Sequence, residues 1–165
     1  MEIIKELNQS EIDRLRSEVM ECFDKDHILD AINKVHCYQV RLYADDFNTI
    51  LINSSIEDQD LPPSECPIIS EVISSIKQSP DFLNKTDRGR RLDGKMVAKY
   101  CEEFRLNGNK PDCFFLVDRD DSIGMNQKGL FYVRDGMHHL VAYRLATEMN
   151  KNAFPIIGFY SSNKK

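Results

Sequence analysis

Residues 130–146, Leu130-Phe-Tyr-Val-Arg-Asp-Gly-Met-His-His-Leu-Val-Ala-Tyr-Arg-Leu-Ala146, carry the most information about this chain. The first four residues are apolar and predict a short strand, which stops at Arg134-Asp-Gly136. A helical pattern follows directly, and its apolar face consists of Leu140, Val141, Leu145 and Met149. The stretch therefore predicts a strand that turns on Asp-Gly into a helix.

The first turn of this predicted helix suits an anion. Backbone N–H groups at a helix start have no partner within the helix, and the helix dipole adds partial positive charge there. His138 and His139 lie in that turn, where imidazoles donate hydrogen bonds or move protons. A purely structural Asp-Gly turn is the alternative, because such turns also occur without a ligand. Two adjacent histidines favour the ligand site, since a core helix gains little from them.

Residues Asp135-Gly-Met-His-His-Leu-Val-Ala142 resemble the loop of the ParB/sulfiredoxin superfamily. In that family a strand leads into a Gly-x-His-Arg or Asp-Gly-x-His-Arg loop and then a helix. Phe154-Pro-Ile-Ile-Gly-Phe-Tyr160 is similar to the family's closing strand, so the resemblance covers roughly the last third of the chain. Members include ATP-using sulfinic-acid reductases, CTP-binding chromosome-partition proteins and free-serine kinases. The resemblance implies that the loop binds nucleotide phosphates.

The resemblance also implies roles for individual residues. Gly136, Met137, His138 and His139 would bind the phosphate, and Asp135 and His138 would be catalytic if the chain is an enzyme. The implied cofactor is a nucleotide, ATP or CTP, with Mg²⁺. His139 stands where the family has arginine, and a neutral imidazole lacks the cationic fork of a guanidinium. Met137 replaces the nucleophilic cysteine of sulfiredoxin, so sulfinic-acid reduction is not expected.

Two functions from different classes remain open at this point. The first is binding of a nucleotide or a phosphorylated small molecule, with phosphoryl transfer or phosphoester hydrolysis as the reaction of an enzyme. The second is a non-catalytic module that binds DNA or a protein and retains the scaffold with a degenerate loop. The missing arginine at position 139 favours the second function.

The charge of the chain gives no general indication of nucleic acid as a partner. The formal net charge is −5, from 22 basic and 27 acidic residues. Nucleic acid could still bind a local basic patch, for which the candidates are Lys85, Arg88, Arg90, Arg91 and Lys95. Such a run is usually a solvated surface. As an alternative, it folds over the Asp135–His139 loop and supplies cations there.

Composition predicts a cytoplasmic protein. No apolar stretch approaches the ~18 residues of a membrane span, and the first residues lack the apolar core of a secretory signal. The five cysteines are widely spaced without a Cys-x-x-Cys pair, so neither a zinc site nor a disulfide framework is indicated. Asp118, Asp120 and Asp121 could hold Mg²⁺, although acidic turns are common without a metal.

Helical and strand patterns alternate along the chain and predict the α+β class, with mixed α/β character. The resemblance implies a small mixed sheet surrounded by helices. We expect residues 1–37 to form a helical extension that packs on the core, with a helix beginning at Ser10, and residues 38–165 to form the ParB/sulfiredoxin-like domain. Strands at 113–118 and 130–133 are expected to pair antiparallel. A helix is also expected around 27–35 and a strand at 48–53 after a turn at 44–47. Asp93 is expected to cap a further helix.

Overall fold

The computed structural model describes residues 1–19, 26, 29, 32–33, 36–57, 61, 65–86, 92–111, 114–119 and 130–163. Its helices are α1 (Gln9–Val19), α2 (Ile69–Gln78), α3 (Gly94–Asn107) and α4 (Met137–Ala146). Its strands are β1 (Glu2–Glu6), β2 (His36–Leu42), β3 (Ile50–Leu51), β4 (Phe115–Asp118), β5 (Phe131–Asp135) and β6 (Ile156–Ser162). Helices together with one mixed sheet confirm the predicted α+β class.

The strands follow the spatial order β1-β2-β6-β4-β5-β3. β4 lies parallel to β6 and β3 lies parallel to β5, whereas the other neighbouring pairs are antiparallel. The antiparallel pairing expected of β4 and β5 is therefore confirmed. Asp118 lies opposite Phe131 and Phe115 opposite Asp135, so Asp118 and Asp135 stand at opposite ends of this strand pair.

Each face of the sheet carries its own hydrophobic cluster because side chains alternate along a strand. Val40, Leu116 and Val133 belong to the larger cluster, which α2, α3 and α4 cover. Cys37, Phe115 and Val117 point to the other face and pack with Leu15 of α1 and with Ile32. The sheet is thus a middle layer between helices.

The first residues differ from the predicted helical extension. Glu2–Glu6 form β1, an edge strand paired with β2, and the helix begins only at Gln9. Asn8 rather than Ser10 caps this helix: Asn8 Oδ1 accepts the N–H of Glu11, and Glu11 Oε2 accepts the N–H of Asn8, each at 3.0 Å. This reciprocal pairing satisfies two backbone donors, which a cap at Ser10 would leave unpaired.

Several other predicted elements differ in length or fall outside the described residues. The strand expected at 48–53 is reduced to Ile50–Leu51, and the turn before it is the 3-10 helix Ala44–Asn48. The helix expected at 27–35 lies mostly outside the described residues, although Leu29 and Ile32 are helical. None of the described helices has the length and apolar character needed to cross a membrane.

Candidate functional site

The predicted strand, turn and helix at 130–146 are present. β5 runs to Asp135, and Gly136 caps α4 with φ 84° and ψ 16°. The Gly136 carbonyl accepts the N–H of Leu140 at 2.8 Å, which closes the first turn. A left-handed backbone favours glycine because the residue has no Cβ. Gly136 also supplies no side-chain acceptor to the helix start, in contrast to a Ser or Asp cap.

The helix is shorter than the sequence pattern predicts. It ends at Ala146, and Met149, expected on its apolar face, is 96% exposed. The hydroxyl of Thr147 donates to the Tyr143 carbonyl at 2.6 Å and satisfies one of the last carbonyls of the helix. The apolar spacing therefore extends beyond the helix itself.

Asp135 and Met137 flank the capping glycine. Asp135 is half-buried at the end of β5, beside the irregularity in the β4–β5 register. Met137 is half-buried and packs against the larger core cluster. The thioether side chain of Met137 packs on the core. A ligand at this turn would therefore contact the backbone N–H of Met137 rather than its side chain.

His138 connects α4 to α3. Its Nε2 accepts a hydrogen bond of 2.9 Å from the backbone N–H of Asp93, the residue that caps α3. The Asp93 carboxylate in turn accepts the N–H of Met96 at 2.9 Å, as the sequence predicts for a capping residue. The two helix starts are thus joined by one hydrogen bond through the His138 ring.

His139 lies in the interface between α3 and α4. Its ring centroid is 4.0 Å from that of Tyr100, with a 30° angle between the planes, and 6.4 Å from that of Phe104. This aromatic packing accounts for a histidine at position 139 without a ligand. The geometry gives the ring a packing partner, and the phosphate ligand that the resemblance implies for His139 stays a prediction.

Helices α3 and α4 run in the same direction. Asp93 at the start of α3 contacts His138 at the start of α4, and farther along the two helices the Phe104 and Tyr143 rings meet edge to face at 5.2 Å. The positive ends of two helix dipoles therefore lie together, each equivalent to about half an elementary charge. The Asp93 carboxylate offsets part of this charge, and its residue is only 8% exposed.

One member of the predicted basic patch lies at this place. Lys95 is exposed in the first turn of α3, and its backbone N–H donates to the Lys85 carbonyl at 3.0 Å. Lys85 is also exposed. Arg88, Arg90 and Arg91 lie outside the described residues.

Gly94 fixes the position of the α3 start. A Cβ on this residue would lie 1.9 Å from the carbonyl oxygen of Phe82 in the 3-10 helix Pro80–Asn84. The two backbones therefore approach more closely than any side chain allows. Sequence reasoning identified Asp93 as a cap but did not connect Asp93 or Gly94 with the site. Nothing local in the sequence indicates their approach to His138, 45 residues away from Asp93.

Asp118 does not belong to this site. It lies at the opposite end of the β4–β5 pair, three residues or about 10 Å along the strand from Phe115. The hydroxyls of Tyr160 and Ser162 donate to its two carboxylate oxygens. Asp120 and Asp121 lie outside the described residues. Within the described ranges, no group of three or more His, Cys, Asp or Glu side chains is arranged to hold a metal ion.

The described cysteines offer no activated thiol. Cys37, Cys66 and Cys101 are buried thiols. Burial raises the pKa of all three thiols, that of Cys37 to about 11. The raised pKa keeps each thiol protonated near neutral pH, and a protonated thiol is a poor nucleophile.

Two open clefts lie away from the Gly136 turn. One has a volume of about 580 Å³ and is lined by Asn48, Ile68, Ser70, Glu71, Ser74 and Ser75. The other has a volume of about 350 Å³ and lies between α2, α3 and α4. Neither is lined by residues 135–139.

Comparison of the chain with models of known protein families, with curated proteins and with solved structures finds no match.

Proposed function

We propose that this chain binds a nucleotide or another phosphate ligand at the Gly136 turn, where α3 and α4 begin side by side. The observation that carries the proposal is the hydrogen bond from Asp93 N–H to His138 Nε2, which holds the two helix starts together. Phosphate oxygens are favourable partners for the positive ends of helix dipoles and for outward-pointing backbone N–H groups. Lys95 adds an exposed cation in the first turn of α3.

Each residue has a defined role in this proposal. The backbone N–H groups of the first turn, starting at Met137, donate to phosphate oxygens, and Gly136 allows the ligand to approach the backbone closely. Asp135 orients a hydroxyl, a water or a metal ion if the chain is an enzyme. His138 would donate a ring N–H to a phosphate oxygen or act as the acid or base, as the resemblance implies. The ring of His139 packs on Tyr100 and is given no contact with the ligand in this proposal. Phosphoryl transfer or phosphoester hydrolysis is the reaction class that the resemblance implies.

Mg²⁺ would enter this site with the nucleotide. Mg²⁺ usually binds substrate phosphates and one or two carboxylates and keeps several of its waters. Among the described residues, Asp135 is the carboxylate to which the resemblance assigns a role in the reaction. The Asp93 carboxylate accepts the N–H of Met96 and caps α3. We therefore propose that Mg²⁺ binds together with the nucleotide and not before it.

A thermal-shift screen tests the proposal. ATP, ADP, CTP, GTP and inorganic phosphate are each added with and without Mg²⁺. A ligand at 100 times its Kd stabilises the native state by about 2.7 kcal/mol, and for a chain of this length the Tm then rises by about 5–10 °C. The absence of a shift with every compound at millimolar concentration would contradict the proposal.

The contacts of the two histidines favour a second candidate, the non-catalytic module. Both imidazoles of the first turn contact α3, one through Asp93 and one through Tyr100. On this reading the turn serves to join two helices, and DNA or a protein binds elsewhere on the surface. Fluorescence anisotropy with a labelled DNA duplex at low and high salt separates the candidates. Salt-sensitive binding of the duplex without any nucleotide effect would support the module.

A further inference from the structure

The contact between Asp93 and His138 requires a particular form of the imidazole ring. A backbone N–H only donates, so Nε2 must offer a lone pair. The ring is then neutral and carries its proton on Nδ1. A doubly protonated imidazolium carries N–H on both nitrogens. Its Nε2–H would then face the N–H of Asp93, and neither group could accept a hydrogen bond.

Both partners of this contact are held in place. The Asp93 backbone stands at the fixed start of α3, where its carboxylate caps the helix and the backbone of Gly94 lies against the Phe82 carbonyl. His138 is the second residue of α4 and follows the Gly136 cap. Protonation of Nε2 removes the only acceptor that the ring offers to the Asp93 N–H, so it breaks this hydrogen bond.

Charged groups of both signs surround the first turn of α4. Asp93 and Lys95 belong to α3, Asp135 ends β5, and Lys85 follows the 3-10 helix before α3. The ion pair between Lys77 of α2 and Glu148 lies beyond the other end of α4. The carboxylates favour an imidazolium, and the lysines and helix dipoles oppose it.

We propose that the Asp93–His138 contact is a proton-sensitive latch between the two helix starts, closed while His138 is neutral and open when both ring nitrogens are protonated. The consequence for ligands rests on the proposed function. A phosphate at the turn favours the imidazolium, whereas the closed latch requires the neutral ring. Ligand binding and latch closure therefore favour opposite protonation states of His138. Phosphate binding is then coupled to proton uptake and to loss of this hydrogen bond, while the packing of His139 on Tyr100 keeps α3 and α4 side by side.

The latch is tested on the full chain without any ligand. Long-range ¹H–¹⁵N NMR spectra of the imidazole distinguish the two neutral tautomers and the imidazolium. At pH 8 we expect His138 in the Nδ1–H form with a hydrogen-bonded Nε2. As the pH is lowered from 8 to 5, amide exchange at Asp93, corrected for its intrinsic pH dependence, should accelerate about tenfold. An Nε2–H tautomer at pH 8 would overturn the proposal. So would an amide exchange rate of Asp93 that does not change when His138 becomes protonated.

The variant His138→Gln provides a matched control. Its amide oxygen accepts a hydrogen bond near the position of Nε2 and cannot take up a proton in this pH range. Asp93 should remain protected down to pH 5 in His138→Gln and should lose protection at every pH in His138→Ala. Loss of protection with falling pH in His138→Gln, equal to that in the wild type, would assign the effect to another group and refute the latch.

A second arm separates the latch from the proposed function. Calorimetric titration with inorganic phosphate is run at pH 6.5 in buffers of different ionisation enthalpy, which reveals proton uptake. Uptake of protons that is absent in His138→Gln supports both proposals together. If phosphate does not bind while amide exchange at Asp93 still changes with the protonation of His138, the latch is supported and the phosphate site is contradicted. Binding of phosphate without proton uptake refutes the coupling.

Discussion

The hydroxyl of Tyr160 on β6 donates a hydrogen bond of 2.5 Å to Oδ1 of Asp118 on the neighbouring parallel strand β4. Ser162, two residues farther along β6, donates its hydroxyl to the other carboxylate oxygen. Tyr160 is 9% and Ser162 2% exposed, so water has little access to these donors. One carboxylate thus joins the carboxyl-terminal ends of two strands in the middle of the sheet.

We expect Tyr160→Phe and Ser162→Ala each to lower the free energy of unfolding by about 1.5–3 kcal/mol, the usual contribution of a hydrogen bond to a charged group. The effects should not add in the double variant, because both donors share one carboxylate. Urea unfolding measures them. Ser74→Ala on the exposed surface of α2 is the control and should change stability by less than about 0.5 kcal/mol. A Ser162→Ala effect as small as the control effect would contradict the role given to Asp118.

Tyr160 and Tyr132 should make the protein less stable at alkaline pH. Burial raises the pKa of both phenols to about 12, and in Tyr160 the hydrogen bond to Asp118 adds to the increase. Between the ordinary pKa of about 10 and 12, the unfolded chain releases phenol protons that the folded chain retains. Stability is therefore complete below pH 10 and falls above it, by up to about 1.4 kcal/mol per pH unit for each such tyrosine.

Urea unfolding at pH 8, 10 and 11, with absorbance at 295 nm to follow phenolate, measures this decline. Tyr160→Phe is less stable at pH 8 but should show a shallower decline above pH 10. An equally steep decline in the variant would mean that Tyr160 is not one of the groups responsible.

Gly94→Ala should destabilise the protein by at least about 2 kcal/mol. The new Cβ would lie 1.9 Å from the Phe82 carbonyl oxygen, a backbone atom that can move only with its 3-10 helix. Met96→Ala removes a side chain that is 41% exposed in the same turn and should cost much less. Urea midpoints of the two variants decide the prediction, and equal midpoints would show that the α3 start adjusts freely.

Lys95→Glu should weaken phosphate binding by about 1 kcal/mol at low ionic strength, because it reverses a charge beside two helix starts. The fold should survive, since an acidic residue in the first turn of α3 interacts favourably with the helix dipole. Lys99→Glu reverses an exposed charge one turn farther along and should have a smaller effect. Isothermal titration with the best compound from the screen measures both variants. Equal losses would indicate general attraction of anions rather than a site at the turn.

His138→Ala and His139→Ala should separate binding from stability. Loss of the His138 ring should weaken phosphate binding by about 1–3 kcal/mol, the cost of a hydrogen bond to a charged ligand. Loss of the His139 ring should leave the affinity unchanged and lower stability by about 0.5–1.5 kcal/mol, because its contact with Tyr100 disappears. Calorimetry and urea unfolding on the same samples give both quantities. Reduced affinity in His139→Ala at unchanged stability would restore the phosphate role implied by the resemblance.

The local elements around the turn can be predicted from the sequence. The apolar run before Asp135 and the periodicity after Gly136 predict β5 and α4, and Asp93 is predicted as a cap. These features depend on residues a few positions apart, so backbone geometry and capping chemistry suffice to predict them. The α+β class follows from the same alternation of patterns.

Which of these elements contact each other depends on how the whole chain packs. The N–H of Asp93 reaches His138 because α3 and α4 dock side by side, and the same docking places His139 on Tyr100. β1 is a strand because the open edge of β2 offers hydrogen-bond partners, whereas its own sequence does not alternate. Such contacts join residues far apart in the chain, and their energies depend on the packed core rather than on neighbours in sequence.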